Sequence, residues 1–182
     1  MIEGNIEMTQ AELLQNGVGR TLKFLGRAAA MVSITLQSQA KDEPDYQIHI
    51  DTATSILLHG IPYTSTAEID DSQPYGMCKF DKKATAIVAA KESFRLERIF
   101  YDASNLLHLV FSNGLEIHAC TVTEHSEEMW RVFLDWTADI HLIGYPEGIV
   151  EEPPLQSQPE LDEQKRIILD KLRQKRKQVT AY

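Results

Sequence analysis

Cysteine is scarce in this sequence: Cys78 and Cys120 are the only two in 182 residues, and they stand far apart. That argues against a disulfide framework, and a structural zinc site would have to recruit scattered histidines. Long apolar runs are missing too, since no window approaches the roughly 18 uninterrupted apolar residues of a membrane span. The opening MIEGNIEMTQAELLQ holds Glu3, Glu7 and Glu12 and no apolar stretch, so neither a signal nor a transit peptide is expected. A soluble, cytoplasmic protein is the expectation. Walker loops, Gly-rich dinucleotide turns and serine nucleophile elbows are absent. Gly17-Val-Gly19 is too short for a phosphate cradle and follows a helix, which is the wrong order. Six histidines are many, yet none falls in an H-x-H or HExxH spacing. No catalytic residue, metal ligand or cofactor is assigned, and the chain is expected not to be an enzyme.

What is present is acid, unevenly placed. Residues 159–182 hold seven of the eighteen basic residues and four of the 27 acidic ones, a net +3, against −12 for residues 1–158. An acidic body repels nucleic acid phosphates and favours basic partners. Paired carboxylates such as Asp70-Asp71, Glu127-Glu128 and Glu151-Glu152 read as solvated surface acids, because only burial shifts such groups toward acid-base work.

Thr9-Gln-Ala-Glu12 has the spacing of a capping box and, with Leu13, Leu14 and a stop at Gly17, predicts a short helix. From Thr21 to Gln37 the apolar period falls to two, with a bend expected at Gly26 and Ala28 to Ala30. KDEPD (41–45) is a turn, YQIHI resumes the alternation, and SILLHGIPY (55–63) reads as one further strand. IDDSQPYG (69–76) is a surface loop, and FDKKATAIVAAKE (80–92) has helical spacing. Strands follow over FRLERIFY and LLHLVF, then Asn113-Gly114 as a tight hairpin turn, then LEIHACTV. Beyond the charged loop 123–128, MWRVF and DIHLIGY read as strands. Trp130 is expected in the core, with Arg131 on the other face, exposed or paired with an acid.

Two passages match. Val32, Ile34 and Leu36 align with Leu107, Leu109 and Phe111, and Ile48-His49 aligns with Ile117-His118. Each copy is a hairpin preceded by a strand and followed by a bend into one more strand, a unit that buries its apolar face against its twin. His49 and His118 then occupy matching places, as outward residues of half-buried strands more readily than as a facing pair. The fold expected is α+β: a β-rich body of two related strand-hairpin units with a connecting helix, plus a C-terminal helix. The body spans 1–150, with the repeat over about 17–63 and 94–145. A proline-rich linker covers 151–160, and a basic C-terminal helix 161–182.

The run LLHLVFSNGLEIHACTVTEHSEEMWRVFLDWTADIHLIGYPEGI (106–149) resembles the C-terminal half of bacterial immunity proteins of polymorphic toxin systems. Their pattern is a strand, an Asp- or Asn-Gly turn, a strand, an acidic loop, a Glu-x-Trp-Arg strand and a final strand ending in glycine. Here those positions are Asn113-Gly114, Glu128, Trp130, Arg131 and His141 to Gly144. The stretch GVGRTLKFLGRAAAMVSITLQ is similar to the opening of the same group, but alanines 28–30 replace its aspartate and Thr54-Ser55 the tryptophan-arginine pair. The resemblance covers about 17–149 and not the tail.

It implies a non-enzymatic immunity or inhibitor protein that binds a toxin domain, and an acidic surface steers association with a basic one. Asp70, Asp71, Glu124, Glu127 and Glu128, in the two longest loops, are the expected contact residues. The alternative is a regulatory or scaffold module whose basic C-terminal helix binds nucleic acid or another protein.

Overall fold

The computed structural model describes residues 9–90, 92–124, 127–134, 140–152 and 167. The basic helix expected over 161–182 and the linker from residue 153 lie outside them, Ile167 excepted.

The fold is α+β, with eleven strands in two antiparallel sheets among the described residues. Helix α1 (Gln10–Gln15) starts at the expected capping box: Thr9 Oγ1 accepts from the Glu12 amide at 3.3 Å, and Glu12 Oε2 accepts from the Thr9 amide at 2.8 Å. Strands β1 (Thr21–Ala28), β2 (Met31–Gln37) and β3 (Tyr46–Ile50) form a meander, followed by β4 (Thr54–Leu58) and β5 (Ile61–Ser65). Helix α2 (Lys79–Val88) leads into β6 (Leu96–Tyr101), β7 (Leu107–Phe111) and β8 (Leu115–Ala119). The chain then runs through β9 (Trp130–Phe133), β10 (His141–Tyr145) and β11 (Gly148–Glu152).

Four local expectations are corrected. The first bend lies at residues 29–30, with Ala29 at φ 54°, and Gly26 is inside β1, where an added Cβ would meet the Phe24 ring and the Tyr75 hydroxyl. Residues 55–63 are not one strand but most of a hairpin, because His59 (φ 53°) and Gly60 (φ 74°) both take the left-handed conformation of a two-residue turn. Helix α2 ends at Val88 and begins at Lys79, with the Cys78 thiol accepting from the Asp81 amide. The body does not stop at residue 150: β11 continues through Glu151 and Glu152, and Glu152 is buried because Arg131 holds it at 2.7 Å.

The strand order is β1-β2-β3-β9-β10-β11 in one sheet and β5-β4-β8-β7-β6 in the other. Each sheet therefore joins the meander of one half of the chain to strands of the other, β9, β10 and β11 in the first sheet and β4 and β5 in the second. Cross-strand rows show the correspondence residue by residue. Leu25, Ile34, Ile48, Val132 and Leu142 cross the first sheet; Ile99, Leu109, Ile117, Ile56 and Thr64 cross the second in the same order. Both first strands carry a β-bulge at the same place, between Leu22 and Phe24 in β1 and between Leu96 and Arg98 in β6. The sheets meet at a corner in matched hydrogen bonds, Leu22 N to Phe94 O at 2.8 Å and Leu96 N to Arg20 O at 2.9 Å. The crossovers repeat the match, Asp51 N to Met129 O at 2.8 Å and Cys120 N to Ala53 O at 2.7 Å. Helix α1 packs on β6 and β10, and α2 on β1 and β5. The helix read as a connector is thus the second unit's counterpart of α1. One core, from Leu13 to Leu142, fills the space between the sheets, and a smaller cluster of Ile143, Tyr145 and Val150 lies on the outer face of the first.

Candidate functional site

At one end of the first sheet, the β1–β2 turn, the β3–β4 crossover, the β8–β9 loop and the β10–β11 turn lie side by side. The register sets their order: Arg27 opposes Val32, Val32 opposes Ile50, and Ile50 opposes Trp130. The 69–76 loop is tied to the first of these strands. Arg27 donates to the Gln73 carbonyl at 2.8 Å and lies 3.5 Å from Asp71. Both acidic loops singled out by the sequence therefore reach the same end, at strands three spacings apart, about 14 Å.

The five carboxylates differ in what they do there. Asp70 is turned inward on its own loop, accepting from Ser72 and from Gln73 at 2.7 Å, and these bonds hold its carboxyl below the usual range. Asp71 is exposed and its contact with Arg27 is long. Glu128 is an internal brace: both its oxygens accept from Arg131, at 2.9 and 2.8 Å. Burial opposes the Arg131 charge, but Glu128 and Glu152 outweigh it and hold the guanidinium proton more tightly than usual. Arg131 also reaches His141 Nδ1 at 2.6 Å. Glu124 and Glu127 are exposed and have no ion-pair partner among the described residues.

Asp51, at the end of β3, was not singled out by the sequence. It is exposed, and its carboxyl is pushed up by partial burial and by the Glu128 and Glu127 carboxylates. The acidic end thus contains an acid from each half of the chain in mutual repulsion. Asp51 opens the first crossover as Cys120 opens the second, a place that only the pairing reveals.

The histidines separate. His49 stands beside Ser33 on the outer face of the first sheet, in edge contact with Phe133. His118 stands beside His108 on the second. The two repeat-related histidines hold equivalent positions and do not face each other.

Compared with family models, curated proteins and solved structures, the chain matches none. Its functional reading therefore rests on the geometry. No helix is long and apolar enough to cross a membrane. Among the described residues, no group of three or more His, Cys, Asp and Glu is arranged to hold a metal ion. A surface groove lined by Asn16, Val18, Arg20, Ser38 and Glu43 contains no unengaged base. Its one arginine is spent on the Asn16 carbonyl at 2.8 Å and the Pro44 carbonyl at 2.6 Å.

Proposed function

We propose that the chain is a non-catalytic binding protein, of the immunity or inhibitor kind, that captures a basic partner with the acidic end of its first sheet. The observation that carries this reading is the gathering of Asp51, Glu124 and Glu127 at that end, where no ion pair engages them among the described residues, with Asp71, held only by a long contact to Arg27, across it. Exposed like charges raise one another's energy, and a basic surface relieves it. Such complementarity acts chiefly on the association rate. Two residues of the sequence-based contact set change role: Glu128 supports the loop through Arg131, and Asp70 shapes its own turn.

The test begins with an affinity capture that identifies the partner. Association kinetics at two ionic strengths then follow for the parent, the Asp51→Lys/Glu124→Lys/Glu127→Lys variant and a chain lacking residues 153–182. The charge-reversed variant is expected to associate at least tenfold more slowly, with a flattened salt dependence and an unchanged fold, since exposed charges contribute little to stability. The truncated chain should keep its rate. An acidic partner, or binding lost with the tail and indifferent to the reversals, would overturn the reading in favour of a scaffold acting through its basic segment.

A further inference from the structure

On the outer face of the second sheet, one cross-strand row runs Phe100, His108, His118, Ser55. Each imidazole has a carboxylate behind it: Asp102 lies 3.2 Å from His108 Nε2, and Glu116 lies 2.9 Å from His118 Nε2. Burial opposes the Asp102 charge, but His108 and the amides of Leu106 and Ser104 hold that carboxyl below its usual range. A carboxylate only accepts, so each Nε2 carries its hydrogen, and each neutral ring is left with a lone pair on Nδ1. Those two Nδ1 atoms are 2.9 Å apart. Two lone pairs at that distance repel unless a cation lies between them.

We propose that this pair is a binding site for a divalent late transition metal ion, Cu(II) or Ni(II), held by His108 Nδ1 and His118 Nδ1. Imidazole nitrogen suits these ions, and a carboxylate on the far nitrogen fixes the ring and raises its basicity, as behind metal-bound histidines generally. With metal–nitrogen bonds of about 2.0 Å, nitrogens 2.9 Å apart subtend about 90° at the metal, the angle between neighbouring positions in tetragonal Cu(II) or Ni(II). A tetrahedral ion would want them about 3.3 Å apart. The rings must swing so that both lone pairs meet off the line joining them. Both rings are partly exposed on the sheet surface, at 17% and 24%. Two neutral rings and two carboxylates sum to −2, which a divalent ion neutralises, and water completes its coordination.

The other half of the molecule is an internal control. At the equivalent places it has Ser33 opposite His49, and Gln47 where the second half has Glu116. Gln47 is engaged by Thr35 at 2.9 Å. The same strand positions there supply one imidazole, a serine and a glutamine.

The experiment uses the full, untagged chain in a Cys120→Ser background, because the exposed Cys120 thiol follows His118 by two residues and would bind these ions itself. Calorimetric titration with Cu(II) or Ni(II) should give one site per chain. His108→Gln and His118→Gln should each abolish the site, while Glu116→Gln should weaken it about 10- to 100-fold. Thermal unfolding should show all the variants folded. Electron paramagnetic resonance of the Cu(II) form should show two coupled imidazole nitrogens. Absence of stoichiometric binding, or binding that survives in the His108→Gln/His118→Gln double variant, would overturn the proposal.

Discussion

Trp130 shows how much one side chain can fix. It is fully buried, its ring stacks at 6.2 Å on Tyr101 of β6, and its Nε1 donates to the Asn105 carbonyl at 2.6 Å. Asn105, held at φ 62°, in turn donates to the carbonyls of Tyr145 and Pro146. Opposite Trp130 in the ladder is Gly144, where an added Cβ would run into the indole ring. This glycine supplies space rather than backbone freedom. Trp130→Ala is expected to destabilise the fold by about 3–5 kcal/mol, as for large-to-small changes of a buried aromatic. Gly144→Ala should cost about 1–3 kcal/mol through overpacking. The double variant should fall short of the sum, because the ring that the new methyl strikes is gone. Urea midpoints of the four proteins measure all three quantities, and strict additivity would mean that the ring and the glycine do not interact.

At the level of elements, α2 docks on the edge strand β1 through a buried ion pair. Asp81 of α2 accepts from Arg27 Nε at 3.0 Å and from the Gly76 amide at 2.9 Å. Burial would raise the Asp81 carboxyl, but the Cys78 thiol, Arg27 and the Gly76 amide together hold it below the ordinary range. The folded chain therefore binds this proton more weakly than the unfolded chain, whose aspartates titrate near pH 4. The stability that Asp81 contributes is full above that pH and is lost as pH falls through the lower, folded-state value. Asp81→Asn should be less stable than the parent at pH 7 and should lose less of its remaining stability between about pH 5 and pH 2. Denaturant midpoints at several pH values would show this as converging curves, and parallel curves would remove Asp81 from the account.

The same elements show what a local pattern can and cannot convey. The β7–β8 hairpin was legible because Asn113-Gly114 is a recognisable turn between alternating runs. The β4–β5 hairpin was not, since a histidine at positive φ stands where asparagine or aspartate normally signals the turn. β11 ends in two acids that read as linker, and only Arg131, 21 residues upstream, makes Glu152 a buried residue. Of the acidic site, the loops were legible as loops; Asp51 was hidden because its neighbours Glu127 and Glu128 arrive from the other half of the chain.

Across the whole molecule, alternation revealed the two units but not their exchange, because apolar period states which face is buried and not which strand lies alongside. The exchange has a mechanical consequence. β3 finds its second neighbour in β9, and β8 in β4, so neither half can complete a sheet from its own residues. A meander alone would leave its apolar row of Leu25, Ile34 and Ile48, or of Ile99, Leu109 and Ile117, facing water. Cutting the chain once in the 72–75 loop, which joins the units without belonging to a strand, separates the sequence halves but not the sheets. Each fragment by itself should lack a cooperative unfolding transition. Mixed at equal concentration, the fragments should associate and unfold in a single transition whose midpoint rises with concentration, as for an obligate heterodimer. Sedimentation and thermal unfolding of the separate and mixed fragments decide it: two independently folded fragments would mean that the units are autonomous domains, and the strand exchange would then have no energetic weight.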